Sequence, residues 1–266
     1  MTAAASGPGT IQTRVKNRLD WAMARKPALI CYLPAGDPTA PPDLADLYVE
    51  QGVDVLEIGI PVANPYVDGE TIRASMERVR QAGVDAAKIA TITGRIRRRH
   101  PRQAMVWMSY ASGMAAHDLV RLANRAGIDG LLFVEPARLF GKLSDDLADI
   151  GIHLLHFMPR GLPRPDVLAA RSSGGYVMLQ ARNGPTGGGA SQRRLPDSKR
   201  HIRELRRAKV RTPIALGIGI RTPAQARRAI DMGADGVIIG SEMVRLAQLG
   251  ADAVADYLTE MRQALQ

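Results

Sequence analysis

Two carboxylates stand out for their placement: Glu57, near the end of the apolar run "VDVLEI", and Asp68, eleven residues further on in the loop "PVANPYVDG". A carboxyl group partly withdrawn from water has a raised pKa and exchanges protons near neutrality, so two of them flanking one pocket suit general acid–base chemistry. Each residue also has a plainer reading. A strand-end Glu often pairs with an arginine or caps a helix, and Asp-Gly is first of all a turn signal. The architecture that carries them must decide.

Two glycine turns add a second chemistry. "LGIGIRTP" (216–223) offers backbone N–H groups near Gly217 and Gly219, and "IIGSEMV" (238–244) puts Gly240 and Ser241 where a strand enters a helix. Glycine lets an anion approach the backbone closely and a helix start favours negative charge, so the two turns together read as a phosphate cup. The five histidines, His100, His117, His153, His156 and His201, lack metalloenzyme spacing, and neither a Ser-His-Asp signature nor a P-loop is present. The expected chemistry uses no metal and no cofactor.

The elements that must position these groups are short apolar runs of strand length: 28–33, 53–58, 104–109, 130–135, 153–158, 175–180, 213–218 and 236–240. They are apolar nearly throughout, as strands buried on both faces are. Amphipathic helical stretches alternate with them, at 40–52, 115–127, 222–233 and 241–265 among others. Thr222-Pro223 supplies an N-cap and first-turn proline, and Gly52, Gly127 and Gly233 stand at C-cap positions. Strand then helix, repeated eight times after an N-terminal helix near 11–24, predicts an α/β fold, a single (β/α)8 TIM barrel over 1–266. An open doubly wound sheet is the competing fold, but "PAGDPTAP" after the first strand is not a dinucleotide fingerprint. Residues 1–10 are expected to be flexible, and the Gly-rich stretch 183–197 reads as a mobile lid at the barrel's C-terminal face, where Glu57 is expected at the mouth.

The net charge of +10 raises the question of nucleic acid, with basic runs at 95–102 and 192–207. Aromatic residues make up only 4%, which leaves few stacking platforms, so both runs read as solvated helix faces and no nucleic-acid partner is expected. The single cysteine, Cys31, excludes an intramolecular disulfide and a cysteine metal cluster. With neither a signal-peptide pattern nor a spanning apolar stretch, a cytoplasmic protein without a membrane role is expected.

With these residues in place, the sequence resembles the α subunit of tryptophan synthase in order from about residue 14 to 250. "YLPAGDP" (32–38) is similar to that family's first-strand motif, "LEIGIPVANPYVDG" (56–69) to its most diagnostic segment, "RNGPTG" (182–187) to its lid, and "GIGIRTPAQA" and "DGVIIGSEMVR" to its phosphate turns. The resemblance implies retro-aldol cleavage of indole-3-glycerol phosphate to indole and glyceraldehyde 3-phosphate. It implies Glu57 as general acid/base, Asp68 facing the indole nitrogen, and Gly219, Gly240 and Ser241 on the phosphate. Gly187 would close from the lid that Thr186 helps to order. Tyr32, Ile72, Tyr110, Leu132 and Met178 are candidates for the walls of the indole slot, and a β-type subunit is the implied partner.

The sequence also departs from the family pattern. Asn64 replaces a usual Asp in the loop that communicates with the β subunit, which weakens that partner assignment. Pro185 replaces a small aliphatic residue, Met178 a frequent aromatic, Glu70 a common Pro, and "SYASG" (109–113) a Tyr-Asn stretch. These changes leave open a divergent barrel enzyme of specialised metabolism that acts on another phosphorylated or diphosphorylated compound by elimination, cleavage or cyclisation. They also leave open a non-catalytic partner-binding subunit, although such proteins would be expected to lose the two carboxylates first.

Overall fold

The computed structural model describes residues 16–25, 27–110, 116–135, 141–181 and 198–266. Eight parallel strands pair in chain order: β1 (Ala28–Leu33), β2 (Val55–Gly59), β3 (Ala104–Ser109), β4 (Gly130–Phe133), β5 (His153–Met158), β6 (Val177–Gln180), β7 (Ile214–Gly217) and β8 (Gly236–Ile239). β8 returns to β1 through Ala28↔Gly236, and the expected barrel is closed. Side chains alternate between two cores. Ile30, Tyr32, Val106, Met108, Leu155, Met178 and Ile238 point inward, while Leu29, Cys31, Leu56, Trp107, Leu131 and Val237 pack against the helices. Both faces are dry, which is why the strands read as unbroken apolar runs.

The described helices are α1 (Arg18–Ala24), α2 (Leu44–Glu50), α3 (Glu70–Gln81), α4 (Ala86–Arg99), α5 (Ala116–Ala126), α6 (Gly141–Asp149), α7 (Arg164–Ala170), α8 (Lys199–Arg207), α9 (Pro223–Asp231), α10 (Ser241–Ala247) and α11 (Ala251–Leu265). Thr222 caps α9, as its sequence predicts, and Gln225 completes a capping box with it. The stretch 241–265, expected as one helix, is two, because Gly250 adopts φ 112 between α10 and α11. Two helices, α3 and α4, connect β2 to β3. α1 is capped by Asn17 and sends Leu19 and Met23 into the inner core, stoppering the N-terminal end of the barrel.

That end is stitched by a recurring device. The triplets ending in Asp54, Asp129 and Asp235 each run glycine, apolar residue, aspartate directly before an even-numbered strand. Each carboxylate accepts a backbone N–H from the preceding odd strand: Leu29 at 2.8 Å, Met105 at 2.9 Å and Ile214 at 2.7 Å. Each also binds arginine, Arg262, Arg97 with Arg18, and Arg206 respectively. Arg97 and Arg206 lie in the two basic runs, so those runs are partly structural rather than wholly solvated.

At the C-terminal end, Asp37 of the "AGDP" turn joins β1 to α3. It accepts from Ser75 Oγ at 2.6 Å, Arg78 Nη2 at 2.6 Å and Nε at 3.0 Å, and Thr39 N at 3.0 Å and Oγ1 at 2.8 Å. Burial pushes its pKa up, but these bonds outweigh that and hold the carboxyl below its usual value of 3.8. Asp37→Ala is expected to lower unfolding free energy by about 3 kcal/mol at neutral pH, since it strands buried donors and leaves Arg78 unpaired. A depressed folded pKa contributes stability above the unfolded value that is lost as pH falls through the folded one. The gap between variant and wild type should therefore narrow as pH falls below the ordinary value of 3.8, as read by urea denaturation.

Candidate active site

Glu57 lies deeper than its sequence suggests. β2 continues two residues past it to Gly59, so the side chain points into the barrel rather than standing on its rim, and it is 1% exposed. Its Oε1 accepts from Tyr176 Oη at 2.9 Å. Tyr176 directly precedes β6, the strand diametrically opposite β2 in the eight-strand ring. Burial pushes the Glu57 pKa up, the Tyr176 hydrogen bond pulls it part of the way back, and the Asp68 charge raises it again, to about 7. Glu57 can therefore hold or release a proton near neutrality.

Asp68 sits in the β2–α3 loop, just before Gly69, the N-cap of α3. It is 5% exposed, and its Oδ2 accepts from Tyr110 Oη at 2.7 Å. Burial and the Asp68 carboxylate keep the Tyr110 phenol protonated far above its ordinary range. Asp68 lines a cleft together with Tyr32, Glu57, Met108, Met178, Ile218, Gly219, Ile220, Gly240 and Ser241. Ile72 lines it from the first turn of α3.

The structure thus brings Glu57, Asp68, Tyr32, Ile72, Met178, Gly219, Gly240 and Ser241 to one cleft. Tyr110 stands behind it as the partner of Asp68, and Leu132, 0% exposed, lies in the inner barrel core rather than among the cleft's walls. Thr186 and Gly187, with the rest of the expected lid, lie outside the described residues. Three contributors were not singled out from sequence. Tyr176 lies two residues before Met178, a spacing that in extended chain puts both on one face. Glu135 closes the fourth apolar run much as Glu57 closes the second. Tyr66 lies within the diagnostic loop itself and contacts both Tyr110 and Glu135.

Met178 lies over Gly217, where a Cβ would stand 2.7 Å from its Cε. Any side chain at 217 would push Met178 out of place. Ile218 adopts φ 59 and Gly219 φ 113. A β-branched residue rarely takes that conformation, and the packing of Ile218 in the inner core holds the strained turn that brings Gly219 to the cleft.

Fold and site first define a class, a closed (β/α)8 barrel with two buried carboxylates and two glycines lining one cleft. Residues 20–265 match the model of the family described as tryptophan synthase alpha chain. A tryptophan synthase alpha chain from Halorhodospira halophila is 35% identical over 251 residues, covering 91% of this chain and 89% of its own. One from Novosphingobium aromaticivorans is 35% identical over 263 residues, covering 93% and 95%. The crystal structure of tryptophan synthase subunit alpha from Legionella pneumophila is similar at TM-score 0.81 and 24% identity, covering 94% of this chain and 99% of that one. A chain from the α2β2 tryptophan synthase complex of Pyrococcus furiosus gives 0.78 at 23% identity, covering 90% and 98%. The chain belongs to the tryptophan synthase alpha chain family.

The raised pKa of Glu57 carries a stability consequence. A folded pKa of about 7 against an ordinary 4.5 means that the contribution of Glu57 is fully present below 4.5 and lost as pH rises through about 7. That interval is worth about 3 kcal/mol. Glu57→Gln mimics the protonated form, so it should match wild type near pH 4.5 and exceed its stability by about 3 kcal/mol well above pH 7. Urea denaturation at the two pH values would show this, and equal stability at both would refute a raised pKa.

Proposed function

We propose that this chain cleaves indole-3-glycerol phosphate by retro-aldol chemistry, with Glu57 as the general acid/base and Asp68 as the carboxylate facing the indole N–H. The carrying observation is a carboxyl group with a pKa of about 7 and a second carboxylate in the cleft that also holds Gly219, Gly240 and Ser241. The reaction needs a proton delivered to indole C3 and a proton removed from the glycerol hydroxyl next to the breaking bond. The C3–carbon bond then breaks, releasing indole and the aldehyde. Glu57 titrates where it can serve in that exchange, and Asp68 offsets the positive charge that builds on the ring nitrogen.

Gly219, Gly240 and Ser241 are suited to the phosphate, since two glycines leave the backbone open and Ser241 adds a hydroxyl at the start of a helix. Gly187 and Thr186 are assigned to lid closure by the family pattern. A small phosphorylated substrate, a tryptophan synthase β-type partner such as the one in the Pyrococcus furiosus complex, and a cytoplasmic setting complete the reading. Among the described residues no helix is long and apolar enough to cross a membrane.

The cleft is narrow in this structure and Met178 is among its lining residues, so its walls part to admit the flat indole ring.

Purified protein should release indole from indole-3-glycerol phosphate, assayed with and without an added β subunit. Glu57→Gln and Asp68→Asn should each cut kcat by about 10²- to 10⁴-fold while the non-cleavable analogue indolepropanol phosphate still binds. Absence of indole under both conditions would sink the assignment.

A further inference from the structure

The β2–α3 loop is tied across the barrel mouth by contacts that the acid–base chemistry does not itself require. Tyr66, two residues before Asp68, is 57% exposed, yet its hydroxyl donates to Glu135 Oε1 at 3.1 Å. Glu135 lies just past the end of β4 and is 8% exposed. The Tyr66 ring meets Tyr110 edge-on, with centroids 5.2 Å apart and planes at 65°. Tyr110, just past the end of β3, is the residue that donates to Asp68 at 2.7 Å. One loop side chain therefore leans on β3 and bonds to β4, and the ring it leans on holds the second carboxylate.

Two tight backbone turns complete the arrangement: Tyr66 N donates to Asn64 O at 3.0 Å and Asp68 N to Pro65 O at 3.1 Å. The loop is thus short-wired, and movement of Tyr66 is transmitted to Asp68 both through the chain and through Tyr110. A tyrosine more than half exposed contributes little to global stability, since water competes for its hydroxyl and wets much of its ring in the folded state. Its influence is local. Where a reacting group is displaced by about 1 Å, rates fall by as much as about 100-fold, so a weak contact that fixes position has a large kinetic lever.

We propose that Tyr66 and Glu135 are positioning residues that act through Tyr110 to fix the Asp68 carboxylate, holding the β2–α3 loop in its working geometry within the isolated chain. This rests on the reading of Asp68 given above. The test uses the full chain and two readouts: steady-state indole release, and deuterium exchange of the peptide covering residues 61–69. Tyr66→Ala is expected to lower kcat by about 10-fold, leave KM within about 2-fold, speed exchange of that peptide and leave the unfolding midpoint unchanged. Tyr66→Phe keeps the ring contact and should lose about 3-fold in kcat, and Glu135→Gln keeps an acceptor and should stay within about 2-fold of wild type. Tyr66→Phe combined with Glu135→Ala should be no slower than Glu135→Ala alone, because both remove the same bond.

The proposal is overturned if Tyr66→Ala leaves kcat and loop exchange unchanged, if the losses in the double variant simply add, or if kcat falls only in step with the unfolding midpoint. Its failure and that of the lyase reading separate cleanly. Wild-type chain that releases no indole while loop exchange responds to Tyr66→Ala supports the clamp and sinks the reaction. Normal indole release with neither readout moved by Tyr66→Ala does the reverse.

Discussion

Glu57 occupies an inward position of a closed parallel barrel, and its carboxyl is bonded there by one phenol from the far side of the ring. Most of what is distinctive in the structure follows from keeping that group dry and, among the described residues, bonded through its side chain to one phenol. Burial alone would drive a carboxyl toward permanent neutrality, while several donors would fix it as an anion. One Tyr176 hydroxyl, opposed by burial and by the nearby Asp68 charge, leaves both protonation states accessible near pH 7. The closed ring of strands supplies the dryness, and α1 keeps it by filling the opposite end with Leu19 and Met23.

Asp68 meets a different constraint. It is carried by a loop, so its position depends on what the loop is fastened to. α3 begins at Glu70, directly after it, and Ser75 and Arg78 of α3 bind Asp37 in the β1 turn. The first-strand motif "AGDP" thus acts on the site through the helix it anchors. A carboxylate in the β1 turn and one in the β2 loop are coupled by a helix that neither belongs to.

The barrel was legible in the sequence because its cause is local: eight short apolar runs, amphipathic stretches between them, and capping residues at their ends. The split at Gly250 was missed because a single glycine inside an amphipathic stretch does not announce a positive φ. The Glu57–Tyr176 bond was not legible, since 119 residues separate its partners and only closure of the ring makes β2 and β6 face each other. The basic runs misled in part for the same reason. Arg97 and Arg206 look solvated in sequence, but each reaches a buried aspartate that a distant strand supplies. Gly52, Gly127 and Gly233 were legible as helix ends, but the role of Asp54, Asp129 and Asp235 two residues later was not, because it required the strand order.

The departures from the family pattern acquire physical meaning from where they sit. Glu70 is the first residue of α3, whose N-cap, Gly69, provides no side-chain cap. An acidic side chain there interacts favourably with the helix dipole, so it serves the same position that a first-turn proline serves by its fixed φ. Met178 lies on the cleft wall over Gly217, and its flexible thioether fills a gap that a rigid ring would fill in only one way. Asn64 is exposed and contributes only its backbone carbonyl to the loop turn. Neither Met178 nor Asn64 makes a side-chain hydrogen bond to Glu57 or Asp68, whose phenol partners are Tyr176 and Tyr110. Change at 64, 70 and 178 therefore bears on cleft wall, helix start and loop surface, while Glu57 and Asp68 keep their bonds to Tyr176 and Tyr110.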